Sequence, residues 1–87
     1  MPPRRQAKPR SLDHAALGQA LEELRREAGL TQEELADRFQ NDFPSVGGIE
    51  RGTSNPTFSS LLRVARALEV DLSELFKRSE AIRRAPP

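Results

Sequence analysis

Residues 31–52, TQEELADRFQNDFPSVGGIERG, decide the fold of this chain. Thr31 and Glu34 stand three residues apart just before an apolar run, the spacing of a capping box, in which each side chain accepts a hydrogen bond from the other residue's backbone N–H. Leu35 and Phe39 follow four residues apart and place an apolar stripe on one helical face. These features predict a short helix that begins just after Thr31.

A second short helix is predicted after the polar break at residues 40–42. Asp42 is a good N-cap for this helix. Val46 and Ile49, three residues apart, supply its buried face, and Gly52 is suited to end it. Helices of only a few turns are marginal in isolation and need support from a larger domain. The stretch therefore predicts a helix-turn-helix unit inside a helical domain.

Three further helices are predicted around this unit. Ser11 or Asp13 is suited to cap the first, and Gly29 is suited to end it. Thr57 is suited to cap the fourth. Residues 71–74, DLSE, have the spacing of a second capping box at the start of the fifth helix.

The predicted fold class is all-α, with five helices and the helix-turn-helix at helices two and three. The chain divides into a disordered basic arm at 1–10, the helix-turn-helix domain at 11–78, and the helix end with a basic tail at 79–87. The core is predicted from apolar residues at helical spacing: Leu17, Leu21, Leu24, Leu35, Ala36, Val46, Ile49, Leu61, Ala65, Leu68 and Leu75.

Charge is distributed unevenly along the chain. Residues 1–10 contain four basic and no acidic residues, 11–76 contain six basic and twelve acidic residues, and 77–87 contain four basic residues and one acidic residue. A nucleic-acid-binding domain usually carries a basic footprint, which the middle of this chain lacks. The arm is interpreted either as a solvated tail or as a segment that follows phosphates or enters a minor groove. Its basic residues are Arg4, Arg5, Lys8 and Arg10.

Composition argues against several other functions. The chain has no cysteine, and the single histidine, His14, has no second histidine with which to form a zinc site. The sequence contains no glycine-rich phosphate loop and no serine with a plausible base, so we expect no enzyme activity, no cofactor and no small-molecule ligand. No apolar run approaches the length of a membrane span, and we expect a soluble cytoplasmic protein.

Three separated segments carry a family resemblance. LEELRREAGLTQEELA, IERGTSNP and LLRVARALEVDLSELF occur in the order and spacing of the Cro and phage-repressor-like helix-turn-helix family, also called XRE-like. The resemblance covers residues 17–76 and implies a lambda-repressor-like fold. It also implies a sequence-specific DNA-binding transcriptional regulator, a repressor or a dual controller, that binds double-stranded operator DNA as a homodimer. The second helix of the unit would lie in the major groove.

The resemblance assigns roles to particular residues. It implies a structural ion pair between Arg25 and Glu50. Phosphate contacts are implied for the start of the second helix and for the loop after the third: Gln32, Arg51, Thr53, Ser54 and Asn55. Base-facing positions are implied for the third helix: Phe43, Pro44, Ser45, Gly47 and Gly48. We expect Gly47 and Gly48 to face outward and allow close approach to DNA, with Phe43 or Pro44 against thymine methyl groups.

Two alternatives stay open at this point. Only Ser45 has a polar side chain among the base-facing positions, so the face of Phe43 and Pro44 also fits a protein-interaction module, such as an antitoxin-like partner. In the last helix, Leu72, Phe76 and Ile82 belong either to the core or to a dimer interface.

Overall fold

The chain is described by a computed structural model over residues 8–39 and 45–86. Within these ranges it forms helices and no strand, which confirms the all-α prediction. α1 packs against both α3 and α5, α2 packs against α3, and α4 packs against α5. None of the described helices is long and apolar enough to cross a bilayer. The helices are α1 Leu12–Glu27, α2 Gln32–Ala36, α3 Val46–Arg51, α4 Phe58–Ala67 and α5 Leu72–Arg84.

The starts of three helices follow the sequence prediction. Ser11, rather than Asp13, caps α1 by accepting from the backbone N–H of His14 at 3.0 Å. Both hydrogen bonds of the capping box between Thr31 and Glu34 are present, at 3.0 and 2.9 Å. The bond from the Thr31 backbone N–H to the Glu34 carboxylate lowers the pKa of Glu34, and the Thr31 side chain acts in the same direction. Thr57 caps α4.

The cap predicted for α3 is wrong, whereas Asp71 has the predicted N-cap position of α5 but lacks the predicted side-chain bond. α3 begins at Val46, and Ser45 supplies its cap by accepting from the N–H of Gly48 at 3.3 Å. Asp42 lies outside the described residues. The side chain of Asp71 makes no capping bond, because the N–H of Glu74 that it would accept is donated to the Asp71 backbone carbonyl at 2.9 Å.

Left-handed residues end three of the helices. Gly29 and Gly52, both predicted as helix ends, have φ of 75° and 76°. α4 ends in the same way at Glu69, with φ of 58°, and the N–H of Val70 donates to the carbonyl of Ala65 at 2.9 Å. A side chain in the left-handed region costs roughly 1–2 kcal/mol, so the packing of Leu68 and Val70 on either side of exposed Glu69 holds a strained end that the sequence does not signal.

The core differs from the prediction at a few positions. Ala36 is exposed, because α2 ends there and Leu35 alone enters the core. Leu17 and Leu61 are only partly buried, whereas Val64 is fully buried and was not predicted. The buried apolar residues are Ala16, Ala20, Leu21, Leu24, Leu35, Val46, Ile49, Val64, Ala65, Leu68 and Leu75.

α5 is one continuous helix, so the boundary predicted between residues 78 and 79 falls inside it. Arg78 joins this helix to α1 through an ion pair with Glu27 and lies 3.7 Å from Glu23. The hydrogen bond that Arg78 donates to Glu27 raises the pKa of Arg78. Arg83 makes a second link, at 3.1 Å to Asp13.

α1 and α3 approach each other at backbone distance. A Cβ atom placed on Gly18 would lie 2.3 Å from the carbonyl oxygen of Glu50 and 2.4 Å from that of Ile49. A Cβ atom on Gly52 would lie 3.0 Å from the Cα of Ala15. Two glycines, one on each partner, therefore set the distance between these helices.

We predict that Gly18→Ala destabilises the protein by about 3 kcal/mol, the upper part of the range for overpacking, because the new methyl group meets rigid backbone carbonyls. This loss should exceed the roughly 1 kcal/mol that alanine gains over glycine in a helix. Urea unfolding measures the difference, with Gln19→Ala on the exposed side of α1 as the control. A Gly18→Ala variant as stable as the wild type would show that the two helices separate at little cost.

Candidate nucleic-acid interface

A buried ion pair lies at the centre of the helix-turn-helix. The Nε and Nη2 atoms of Arg25 donate to the two carboxylate oxygens of Glu50 at 2.6 and 3.0 Å. Nη1 donates to the carbonyl of Leu30 at 2.7 Å. Both charged residues are buried, at 8% and 9% exposure. The structure therefore brings together the two residues that the resemblance pairs. The hydrogen bond to Glu50 raises the pKa of Arg25.

Gln32 extends this network to the surface. Its Nε2 atom donates to an oxygen of Glu50 at 2.9 Å, so α2 and α3 are joined through the same carboxylate. A Cβ atom on Gly47 would lie 3.3 Å from the Gln32 side-chain oxygen and 2.9 Å from Nη1 of Arg51. Gln32 and Arg51, both exposed, therefore lie side by side over the first turn of α3.

The loop after α3 folds back onto that helix. The hydroxyl of Thr53 and the backbone N–H of Ser54 both donate to the carbonyl of Gly48, each at 3.2 Å. A Cβ atom on Gly48 would lie 3.5 Å from the Cβ of Ser54. The Ser54 hydroxyl oxygen is buried and has no hydrogen-bond partner among the described residues.

These contacts correct the prediction for the two glycines. Gly47 and Gly48 are buried rather than outward-facing, because Gln32 and Arg51 cover one and Ser54 covers the other. Ser45 is exposed, and its hydroxyl oxygen caps α3. Phe43 and Pro44 lie outside the described residues, and because α3 begins at Val46 they precede that helix in sequence.

The start of α1 lies against the same loop. Nε2 of His14 is 3.0 Å from Oδ1 of Asn55, and the backbone N–H of Arg10 donates to the carbonyl of Gly52 at 2.9 Å. The last residues of the basic arm therefore lie beside the end of α3. Sequence reasoning missed the His14 contact, since a pair 41 residues apart leaves no signal in local spacing.

The charges on this surface are mainly uncompensated cations. Lys8, Arg10 and Arg51 are exposed and make no ion pair within the described part of the chain, while Arg4 and Arg5 lie outside it. Many acidic residues are paired with arginines elsewhere on the fold. These pairs are Asp13–Arg83, Glu22–Arg26, Glu23–Arg78, Glu27–Arg78, Glu74–Arg78 and Glu80–Arg84.

Comparison with known proteins identifies the class. A family model described as Helix-turn-helix matches residues 21–75, which is more than half of the chain. The chain therefore belongs to the helix-turn-helix family. The match includes the second half of α1, all of α2, α3 and α4, and the first turn of α5.

Individual relatives agree with this assignment. An uncharacterized HTH-type transcriptional regulator, y4dJ, from Sinorhizobium fredii (strain NBRC 101917 / NGR234) is 42% identical over 59 residues, 68% of this chain and 77% of that protein. An uncharacterized HTH-type transcriptional regulator from Methanothermobacter thermautotrophicus is 42% identical over 48 residues, 55% of this chain and 70% of that protein.

A solved structure is similar to the whole fold. The crystal structure of the restriction-modification controller protein C.AhdI from Aeromonas hydrophila is 42% identical and superposes with a TM-score of 0.71. The similarity covers 76% of this chain and 100% of that chain.

We predict that removing one member of the buried pair destabilises the protein by about 3 kcal/mol, because the remaining charge is left buried without a partner. Arg25→Ala, Glu50→Ala and the double variant should be compared by urea unfolding. The double variant should lose less than the sum of the two single losses. Arg26→Ala, which removes a neighbouring exposed arginine, is the control and should cost less than about 1 kcal/mol. Strictly additive losses would contradict the coupling.

Proposed function

We propose that this protein is a sequence-specific DNA-binding transcriptional regulator. The observation that supports the proposal best is the surface around α3, where exposed Gln32 and Arg51 lie together beside the polar loop of Thr53, Ser54 and Asn55. Family membership, and relatives named as transcriptional regulators, support the same function. A location in the cytoplasm follows from this proposal.

In this proposal α3 enters the major groove, as in other helix-turn-helix proteins. The loop residues and Arg51 contact the phosphates on either side and fix the register, without themselves reading sequence. Gln32 keeps one amide N–H and its carbonyl oxygen for DNA after bonding Glu50. Base reading is assigned to Ser45, with Phe43 and Pro44 as further candidates. Buried Gly47 and Gly48 shape the surface rather than contact bases.

The acidic middle of the chain is compatible with this function. Within the described part of the chain, six of the twelve acidic residues take part in ion pairs with arginines: Asp13, Glu22, Glu23, Glu27, Glu50 and Glu74. Glu50 is buried, and the others lie on α1 and α5. The exposed cations near the end of α3 make no such pair, so they contribute a positive local field, which acts over about 8–10 Å at physiological salt.

The sign of regulation is proposed as repression or dual control. Gene context distinguishes the candidates: a divergent promoter with an inverted repeat favours a repressor, and adjacent restriction-modification genes favour a controller like the similar solved protein. The alternative of a protein-interaction module depends on Phe43 and Pro44. Because these residues lie outside the described ranges, no structural observation favours that alternative.

We further propose that the regulator binds DNA as a homodimer. Of the three residues that fit either the core or an interface, Leu72 and Ile82 pack against the core. Phe76 on α5 is 41% exposed. An exposed aromatic residue on the last helix is a suitable anchor for a two-fold contact, because aromatic side chains often carry much of an interface's binding energy.

Selection of bound duplexes from a random pool should recover an inverted repeat with half-sites roughly 34 Å apart. Sedimentation should show a dimer on that DNA. Phe76→Lys should reduce dimer formation and operator affinity while leaving the fold intact, whereas Gln19→Lys, at an exposed position in the middle of α1, should change neither. Recovery of no common sequence would contradict sequence-specific binding, and one monomer per site would contradict the dimer.

The basic arm is proposed as a phosphate-binding segment. Arg10, the last residue of the arm, is held beside the end of α3 by its backbone hydrogen bond to Gly52. The arm is therefore attached close to the proposed DNA surface. The arm's cations would increase affinity for every sequence, since phosphates carry no sequence information.

Replacing Arg4, Arg5, Lys8 and Arg10 by glutamine keeps the backbone bond to Gly52 and removes four charges. Each phosphate neutralised contributes about 0.9 to the slope of log affinity against log salt, so the slope should fall by about 3.6 per subunit if all four residues bind phosphates. Preference between sequences should change little. Equal slopes for the wild type and the variant in a salt titration would identify the arm as a passive tail.

A further inference from the structure

His14 joins two parts of the molecule that are distant in sequence. It lies in the first turn of α1, with Nδ1 2.7 Å from the Ser11 hydroxyl oxygen and Nε2 3.0 Å from Oδ1 of Asn55. Asn55 belongs to the loop that follows α3. The only histidine of the chain therefore lies between a helix cap and the proposed phosphate-binding loop.

The hydrogen bonds fix the direction of the donors. The Asn55 atom nearest Nε2 is Oδ1, which can only accept, so Nε2 carries the proton and donates to it. In the neutral ring Nδ1 is then an acceptor, to which the Ser11 hydroxyl donates, while the Ser11 oxygen also accepts the backbone N–H of His14 at 3.0 Å. The Asn55 amide thus uses its oxygen toward His14 and keeps both N–H donors of Nδ2.

The surroundings hold this arrangement in place. Gly52 lies against the backbone of Ala15 and accepts a hydrogen bond from Arg10, so α1 and the loop cannot separate without breaking close contacts. Nδ2 of Asn55 donates to no described residue, and Asn55 is exposed. The two N–H groups of Asn55 face solvent, and the amide that carries them is held by His14. Such donors are suited to bind a phosphate oxygen.

We propose that His14 is a positioning residue for DNA binding: it holds the Asn55 amide with its N–H groups directed at a backbone phosphate. This inference rests on the proposed DNA-binding function and assigns to it a residue outside the helix-turn-helix. His14 acts through Asn55 and contacts no DNA itself. The contribution is to affinity rather than to sequence preference.

The test is a set of full-length variants assayed on the selected operator. Asn55→Ala should lower affinity about fivefold per subunit, the effect of one hydrogen bond of about 1 kcal/mol. His14→Ala should lower affinity about threefold per subunit and should have no further effect in the Asn55→Ala background. The salt slope should not change in any variant, since neither residue releases counterions as a cation does.

Two conservative substitutions separate positioning from general stability. His14→Gln places an amide nitrogen near the original Nε2 and should restore affinity. His14→Asn places its amide near the original Nδ1, where it reaches Ser11 but not Asn55, and should behave like His14→Ala. All variants keep the backbone N–H that caps α1, so their urea midpoints should be similar. Gln19→Ala serves as the control on the same helix.

Nuclear magnetic resonance reports the link without DNA. The imidazole nitrogens should show the proton on Nε2 well above neutral pH, and the Asn55 side-chain amide should shift in His14→Ala. Three results would overturn the proposal: additive losses of DNA affinity in the double variant, no loss of affinity in His14→Ala, or a proton on Nδ1 of His14. If the wild type binds no duplex, the proposed function is wrong. The resonance experiment would then still show whether His14 and Asn55 are hydrogen-bonded.

Discussion

The buried pair of Arg25 and Glu50 is the interaction on which the helix-turn-helix depends. Removing two charges from water costs several kcal/mol per ion unless every donor and acceptor is satisfied. Here the guanidinium also bonds the carbonyl of Leu30, and the carboxylate also accepts from Gln32. One buried cluster therefore fixes α1, the turn after it, α2 and α3 relative to one another. Exposed Gln32, which is proposed to contact DNA, is held by this cluster.

The first turn of α1 contributes to the surface proposed for DNA binding, together with the helix-turn-helix. It lies against the end of α3 through Gly52, holds the root of the arm, and reaches the following loop through His14. The ion pairs of acidic residues in the described part of the chain lie mainly along α1 and α5. The fold therefore places exposed cations without an ion pair near the end of α3 and ion pairs along α1 and α5.

Features governed by local sequence were predictable, and features governed by distant contacts were not. The capping box of Thr31 and the helix end at Gly29 follow from adjacent residues and are present as predicted. The left-handed Glu69 and the burial of Gly47 and Gly48 were missed, because tertiary packing decides both. The resemblance supplied the pairing of Arg25 with Glu50, which spacing alone leaves open. The contact of His14 with Asn55 had no sequence signal.

Backbone contact between α1 and α3 has a consequence for how this protein can evolve. Where side chains separate two helices, each core substitution changes the angle between them. At Gly18 the spacing is set by carbonyl oxygens of α3 against the bare face of α1, and no side chain intervenes. A side chain added at position 18 would have no rotamer that avoids these oxygens, so it could be accommodated only by moving α3. Position 18 is therefore restricted to glycine as long as α3 keeps its place against α1.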